Sequence, residues 1–164
     1  MQQTGFAPHD HGTCIADGLA RAEAVCAGAG VQLTPVRRRV LEILLTGHRA
    51  MGAYEVLEVL AREGLGAQPP VAYRALDFLV KQGLAHKIER LNAFVACSHA
   101  GAAAGAEHAP VFLICRGCGA VAEAAWQPEA GQLGAAARAA GFALEGVVAE
   151  ALGTCPACRQ EPLT

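Results

Sequence analysis

Four cysteines in the last third of this 164-residue chain form two Cys-x-x-Cys pairs, a spacing typical of metal binding. Two thiolates on one tight turn can reach the same ion, and two such turns supply the four ligands of a closed tetrahedral zinc site. A closed site leaves no coordination position for a reacting molecule, so we expect it to be structural. The pairs are Cys115–Cys118 and Cys155–Cys158, and 36 residues separate them.

The same two pairs have a second interpretation, as redox-active dithiols of a thioredoxin-like enzyme. Neither pair lies at the strand-to-helix turn of a recognisable βαβ unit, which that interpretation requires. The long separation suits a metal that clips a whole α/β unit to the end of the chain. We therefore predict structural zinc and no enzymatic activity, with a thiol oxidoreductase as the alternative from another class.

A second group of candidate metal ligands lies near the middle of the chain, although a lone His or Cys near a strand is more often an ordinary packing residue. Segments 85–89 and 93–97 have the composition of two short strands, and a two-residue turn at 91–92 would pair position 86 with position 97. Directly opposed side chains are close enough to share a metal. The candidate set, of mixed nitrogen, sulfur and oxygen donors, is His86, Cys97, His108 and Glu123.

The elements that position these residues fall into two groups. Helical periodicity predicts helices at 15–28, after Thr34-Pro35, after Gly52 and at 70–82, and the hairpin follows them. The last three of these helices and the hairpin make a winged helix-turn-helix. After an Ala-, Gly- and His-rich segment, strands at 111–114 and 121–123, a helix at 129–140 and a strand at 142–151 make a small α/β unit.

The predicted fold class is therefore α+β, an N-terminal winged helix-turn-helix DNA-binding domain with a C-terminal α/β domain. The predicted division is a mobile N-terminal segment at 1–14, the winged-helix domain at 15–97, a linker or hinge loop at 98–109 and the zinc-stapled α/β domain at 110–164.

The fourth predicted helix divides into two faces, as a recognition helix does. Arginine can pair with guanine through two hydrogen bonds, and tyrosine can contact a thymine methyl or a phosphate. Most helices with such an outer face are only solvated, so the assignment depends on the helix-turn-helix context and on the arginine run at 37–39. The candidate DNA-binding residues are Arg37, Tyr73 and Arg74, and the opposite, buried face is Ala72, Ala75, Leu76, Leu79 and Val80.

The charge of the chain is divided unevenly between its two halves. The formal net charge of -2 argues at first against DNA binding. Residues 1–97 carry 10 Lys and Arg against 9 Asp and Glu, whereas the remainder carries 3 against 6. Residues 1–97, which contain the predicted DNA-binding domain (the reading domain), therefore carry a net charge of +1. This charge is weak for a monomer that binds DNA, so we expect two copies to act together.

The composition also bears on where the protein works. At 53% hydrophobic and 17% charged residues, the chain should fold rather than remain disordered. It shows no apolar run of membrane-spanning length and no secretory signal pattern. We expect a cytoplasmic protein without a membrane partner, in which cysteines are kept reduced.

Taken together, these motifs identify a family resemblance that covers about residues 19–158. The chain resembles the ferric uptake regulator superfamily, most closely its zinc uptake regulator branch. The segments that carry the resemblance are 31–37, 53–57, 69–79, 86–89, 94–97, 108–118 and 155–158.

The resemblance implies a homodimeric, metal-dependent repressor that binds a palindromic double-stranded DNA operator and takes no small-molecule substrate. It implies that the C-terminal α/β domain at 110–164 is the dimerisation domain. It implies two zinc ions per subunit, with structural zinc on the four cysteines and regulatory zinc, the corepressor of zinc-uptake genes, on His86, Cys97, His108 and Glu123. It also implies that Tyr54, Tyr73 and Arg74 face DNA.

Three alternatives stay open at the level of sequence. A sensor of another metal or of peroxide in the same family needs a different ligand set, and the Cys97 thiolate favours zinc. His99 competes with His108 as the fourth ligand. A third metal site at His9, His11 and Cys14 is weighed against a mobile N-terminus, whereas Cys26 is predicted to be a core residue and His48 a helix-end residue.

Overall fold

The computed structural model describes residues 6, 11–47, 49–98 and 110–160. Helix α1 spans His11–Gly28, so residues 11–14, predicted to be mobile, are helical. The added turn precedes Ile15, which packs against the core. Three further helices follow as predicted: α2 at Pro35–Thr46, α3 at Ala53–Arg62 and α4 at Pro69–Lys81.

Local sequence signals explain where these helices begin. The Thr34 hydroxyl accepts a hydrogen bond from the Arg37 N–H at 3.4 Å, and Pro35 occupies the first helical position, where a missing N–H costs nothing. Helix α3 begins after Gly52, whose N–H donates to the Glu55 carboxylate at 2.8 Å. The periodic apolar residues of α2, α3 and α4 form one core with Leu19 and Ala22 of α1, and Cys26 is buried in this core as predicted.

The wing is an antiparallel hairpin of β1, Ala85–Ile88, and β2, Ala93–Ala96. Its register differs from the predicted one: His86 pairs with Val95, not with Cys97. The connection is longer than two residues, because Glu89–Leu91 form a 3-10 turn and Asn92 adopts a left-handed conformation with φ of 46°. A register shift of two positions keeps each side chain on its face, so Cys97 stays on the face of His86 as a diagonal neighbour.

The second domain contains a three-stranded sheet in the order β4-β3-β5. Strand β3, Pro110–Cys115, pairs antiparallel with β4, Val121–Ala125, and parallel with β5, Ala149–Gly153. Helix α5, Gln132–Ala139, lies between β4 and β5 in the chain, and α6, Pro156–Gln160, ends the described residues.

Two predicted boundaries in this domain were wrong. The helix predicted at 129–140 is divided into a 3-10 turn at Pro128–Ala130 and α5, and Gly134 packs so tightly on the Glu129 backbone that a Cβ there would lie 2.2 Å from the Glu129 carbonyl oxygen. The strand predicted at 142–151 begins only at Ala149, the first residue with a partner on β3. Phe142 and Val148, both 64% exposed, therefore lie outside the sheet.

The two domains share a small apolar core where the wing meets the sheet. Ile88 of the wing packs with Phe112, Ile114 and Val121 of the sheet, and all four side chains are buried. The loop before α3 adds two isolated antiparallel bridges, one from Met51 to Phe94 of the wing and one from Arg49 to Ala120 of the second domain. In the described part of the chain, none of the helices combines the length and apolar character needed to cross a bilayer.

Candidate metal centres and DNA-binding surface

The four cysteines of the two Cys-x-x-Cys pairs converge in the second domain. Their sulfur atoms all lie within 4.8 Å of one another. The Cys118 and Cys155 sulfurs are 3.7 Å apart, and the Cys155 N–H donates to the Cys115 sulfur at 3.3 Å. Four sulfurs that meet at one point match the donor set and the compactness of a closed tetrahedral zinc site.

The parallel pairing of β3 with β5 brings the two cysteine pairs together. Cys115 ends β3 and is in register with Gly153, the last residue of β5. Cys155 follows two residues later, and Cys158 lies one turn further along α6. The turn that contains Cys115 and Cys118 ends at Gly119, whose φ of 75° favours glycine.

Two of the four thiols, Cys115 and Cys158, differ in their affinity for protons. Backbone N–H groups of Cys155 and Cys118 donate to the Cys115 sulfur and lower its pKa to about 6. Hydrogen bonds to Cys155 and Cys118 raise the pKa of Cys158 to about 12. Backbone N–H groups are thus the largest cause that favours the Cys115 thiolate, whereas a cation bound among the sulfurs would compete with the proton of Cys158.

The second cluster lies at the boundary between the domains. His86 and Cys97 come from the wing side and Glu123 from β4, and their ligand atoms also lie within 4.8 Å of one another. The His86 Nε2 is 3.5 Å from the Glu123 Oε1, and the Cys97 sulfur is 4.0 Å from the same oxygen. Little of the cluster reaches solvent, since the Glu123 side chain is 2% exposed and Cys97 is 5% exposed.

Ser98 contacts the candidate site, and sequence reasoning did not identify it. Its backbone N–H and its hydroxyl both donate to the Glu123 Oε2 at 3.0 Å. The other carboxylate oxygen of Glu123 is thereby left facing His86 and Cys97. The one sequence feature that could have identified Ser98 is its position next to Cys97, a candidate ligand. Metal ligands are commonly oriented by hydrogen bonds from neighbouring residues.

The pKa shifts of this cluster favour a cation. Burial raises the pKa of Glu123, but hydrogen bonds from His86 and Ser98 and the His86 charge outweigh burial and hold this pKa well below its usual range. Burial lowers the pKa of His86, yet its contacts with Cys97 and Glu123 raise it to about 9. The site therefore attracts positive charge, and a divalent ion would compete with the imidazole proton.

Other predicted ligands lie outside the described residues. They are His108, the predicted fourth ligand, its competitor His99, and His9 of the third candidate site. His48, predicted to be a helix-end residue, also lies outside the described residues. Cys14 is a partly buried residue of α1. Among the described residues, the two clusters above are the groups of three or more potential ligands that converge on a point.

Helices α3 and α4 present the predicted DNA-binding residues. Tyr54 on α3 and Tyr73 on α4 are 65% and 42% exposed, and their rings meet edge to face with centroids 6.4 Å apart. Arg74 is exposed beside Tyr73. The buried face of α4 contains Ala72, Ala75, Leu76 and Leu79 as predicted, but Val80 is exposed because it lies at the edge of that face.

Known proteins are similar to this chain in sequence and in fold. The chain is 40% identical over 140 residues to the zinc uptake regulation protein of Escherichia coli (strain K12). The matched region covers 85% of this chain and 80% of that protein. A solved zinc uptake regulator complexed with zinc and DNA has 38% identity and a TM-score of 0.80, over 89% of this chain and 95% of that one. The chain belongs to the zinc uptake regulator branch of the ferric uptake regulator family. No family model matches it.

One zinc uptake regulator, XcZur, is solved in two forms that differ in their similarity to this chain. The holo form has a TM-score of 0.76 at 36% identity, over 88% of this chain and 98% of that one. The apo form has a TM-score of 0.51 at 37% identity, over 90% and 99%. The conformation of this member of the branch is therefore closer to the holo form.

The arginine run of this zinc uptake regulator is engaged in contacts within the first domain. The Arg37 guanidinium lies 3.7 Å from the centre of the Phe78 ring and donates to the Gln32 carbonyl at 2.7 Å. Arg39 binds Glu63 at 2.6 Å and 2.8 Å and Glu42 at 2.7 Å, and Arg38 pairs with Glu23. These three residues connect α2 to its neighbouring helices.

Proposed function

We propose that this protein is a zinc-responsive, DNA-binding transcriptional regulator that represses zinc-uptake genes when zinc is bound. The observation that carries the proposal is the cluster of His86, Cys97 and Glu123 at the boundary between the reading domain and the second domain. The name of the 40%-identical relative and the relative solved with zinc and DNA support the same function.

The regulatory zinc would be held by His86, Cys97 and Glu123, with His108 as the fourth ligand. The three described donors supply one nitrogen, one sulfur and one oxygen, a set that zinc accepts. His108 lies two residues before β3 in the sequence, and a tetrahedral site has one position left after these three donors. Because ligands come from both domains, zinc binding would favour the arrangement in which the wing rests on the sheet.

The second zinc would be structural and held by Cys115, Cys118, Cys155 and Cys158. All four ligands belong to the second domain, so occupancy would not depend on where the reading domain lies. The metal would join the end of β3 to the end of β5 and to α6. This domain is small, and a structural metal offsets the limited apolar burial of such a unit.

DNA would be bound by Tyr54, Tyr73 and Arg74, the exposed residues of α3 and α4. Arg74 can read a guanine edge, and the paired tyrosines offer hydroxyl groups to phosphates and ring faces to thymine methyls. Arg37 was a further candidate for DNA contact. We infer that it instead braces α2 against α4, because its guanidinium already contacts Phe78 and Gln32.

The regulator would act as a homodimer on a palindromic operator. Large apolar side chains stay exposed in the second domain of a single chain, and they suit burial against a second copy. Two reading domains would also add to the weak positive charge of one. The exposed side chains in question are Leu113, Trp126, Leu133, Phe142, Val148 and Leu152.

We propose further that the protein is not an enzyme, that it works in the cytoplasm, and that its domains divide at 15–97 and 110–164. The convergence of all four Cys-x-x-Cys sulfurs supports metal binding over a dithiol exchange reaction. About one tightly held zinc per chain after mild chelation, with no disulfide reductase activity, is the result we expect. A metal-free protein with reductase activity would contradict it.

The function is tested by DNA binding at controlled free metal. Fluorescence anisotropy on labelled DNA from the protein's own promoter region would be measured against buffered zinc, iron(II) and manganese(II). We expect the dissociation constant to fall by roughly 10-fold or more as zinc fills the regulatory site, which is within the usual range of allosteric coupling. DNA binding that is indifferent to zinc, or that responds only to another metal, would contradict the proposal.

A further inference from the structure

Three side chains form one row across the sheet of the second domain. Phe112 of β3 is in register with Glu123 on β4 and with Glu150 on β5. Residues in register on neighbouring strands project from the same face of a sheet. A buried phenylalanine is therefore flanked on both sides by glutamates, one of which belongs to the proposed regulatory site.

This row contacts the wing along the length of β1. Glu123 lies 3.5 Å from His86, near the start of the strand. The Phe112 ring packs against the His86 ring with centroids 5.2 Å apart and shares a core with Ile88, at the end of the strand. Glu150 continues the series beyond the strand, where its Oε1 and Oε2 accept hydrogen bonds from two wing-tip N–H groups.

The Glu150 carboxylate joins the sheet to the tip of the wing through two hydrogen bonds. Its two oxygens accept the consecutive backbone N–H groups of Glu89 and Arg90 at 2.7 Å and 3.1 Å. A charged acceptor that binds two N–H donors is stronger and more directional than a neutral one. These N–H groups belong to the 3-10 turn that sets the hairpin register, 60 residues away in the chain. The contact joins the two domains without using any of the proposed zinc ligands.

We propose that Glu150 is a positioning residue for the regulatory site, a latch that holds the wing tip on the sheet. The proposal rests on the proposed function, since it assigns a regulatory role within the same switch. A contact made only when the wing is docked raises the population of the docked arrangement. A ligand that binds only this arrangement gains apparent affinity in the same proportion, so the latch strengthens both regulatory zinc binding and DNA binding.

The test compares Glu150→Ala and Glu150→Gln with the matched control Glu145→Ala in the full-length protein carrying its structural zinc. Glu145 is an exposed glutamate five residues away. The first measurement is hydrogen exchange of a peptide covering residues 87–92, by mass spectrometry. The second is regulatory zinc affinity by competition with a chelator, and the third is zinc-dependent DNA anisotropy.

We expect faster exchange at 89–90 in Glu150→Ala, and a regulatory zinc affinity and DNA affinity that both fall by roughly fivefold or more, the lower end of usual coupling. Glu150→Gln keeps one acceptor without charge and should lie between wild type and Glu150→Ala. The structural zinc content, the dimer and the circular dichroism spectrum should match those of Glu145→Ala.

Two results separate the latch from the function on which it rests. If the wild type binds DNA in a zinc-dependent way and the Glu150 variants match Glu145→Ala in exchange and zinc affinity, the latch is wrong and the function stands. If the wild type binds DNA without regard to zinc, the proposed function is wrong. The exchange and zinc measurements still decide in that case whether Glu150 docks the wing.

Discussion

The two metal clusters of this zinc uptake regulator differ in where their ligands originate. The four-cysteine cluster draws every sulfur from the second domain, from two turns that a parallel strand pair places side by side. The cluster of His86, Cys97 and Glu123 draws ligands from both domains and lies where they pack together. A metal in the first can only stabilise one domain, whereas a metal in the second reports how two domains are arranged.

The clusters also differ in which groups shift the pKa values of their ligands and orient them. In the first, backbone N–H groups lower the pKa of Cys115, and hydrogen bonds among the cysteine side chains raise the pKa of Cys158. In the second, side chains from different elements oppose each other, and Ser98 orients the carboxylate between them. The second cluster therefore depends on how the two domains are placed relative to each other, which is what a reversible sensor requires.

The largest expected effect comes from breaking the four-cysteine cluster. Cys155→Ser should release the structural zinc and lower the midpoint of thermal unfolding by roughly 10 °C or more, because metal loss is among the few changes that exceed about 4 kcal/mol. Calorimetry and metal analysis would measure this. Cys14→Ser, a change outside both clusters, should leave both quantities unchanged. An unaltered midpoint in Cys155→Ser would show that this metal site is not structural.

Cys97→Ser should separate the two clusters. The fold, the dimer and the structural zinc should be preserved, while regulatory zinc affinity should fall by roughly 100-fold or more, since even outer-layer partners of metal ligands are worth 10- to 100-fold. Zinc-dependent anisotropy and chelator competition would measure the loss. If Cys97→Ser and Cys155→Ser lost the same properties, the division into regulatory and structural sites would have to be abandoned.

Arg74→Ala should weaken DNA binding without touching either cluster. We expect a loss of about 1–3 kcal/mol in DNA affinity and relaxed base preference at one operator position, as for an arginine that reads a guanine. Zinc content should match wild type. Arg138→Ala, which removes an arginine from the second domain, is the matched control and should bind DNA normally. Equal losses in the two variants would indicate a general charge effect in place of recognition.

Ser98→Ala gives the smallest of these effects and the finest comparison. It removes the hydroxyl donor to Glu123 and keeps the backbone N–H donor, so the regulatory zinc affinity should fall by roughly tenfold. Thermal stability of the structural zinc domain should stay at the wild-type level. Ser98→Thr, which retains a hydroxyl, should recover most of the affinity. If Ser98→Ala binds zinc as wild type does, the hydroxyl does not orient the carboxylate.

Most of the helices could be predicted because their signals are local. Thr34-Pro35 marks the start of α2, and the periodic apolar residues of α3 and α4 predict which faces are buried. Local signals failed where a distant contact set the boundary. The strand predicted at 142–151 starts only at Ala149, because strand structure there depends on the partner β3.

The sites followed the same rule. The convergence of four cysteines was predictable because the spacing within each pair already fixes two ligands on one turn. His86 and Cys97 were paired through the wrong register, yet they meet because a shift of two positions preserves the face. Ser98 and Glu150 act through contacts with residues more than 20 positions away, and no local pattern identifies such partners.

The sequence by itself determined the donor types, the cysteine spacing, the helix starts and the division of charge between the two halves. Each of these depends on residues close together in the chain. Only the tertiary structure decided that Glu123 and Glu150 flank Phe112 in one row, and that this row contacts the wing from the start of β1 to the wing tip. The physical reason is that strand register and domain docking are set by contacts between distant segments, whose geometry no short stretch of sequence contains.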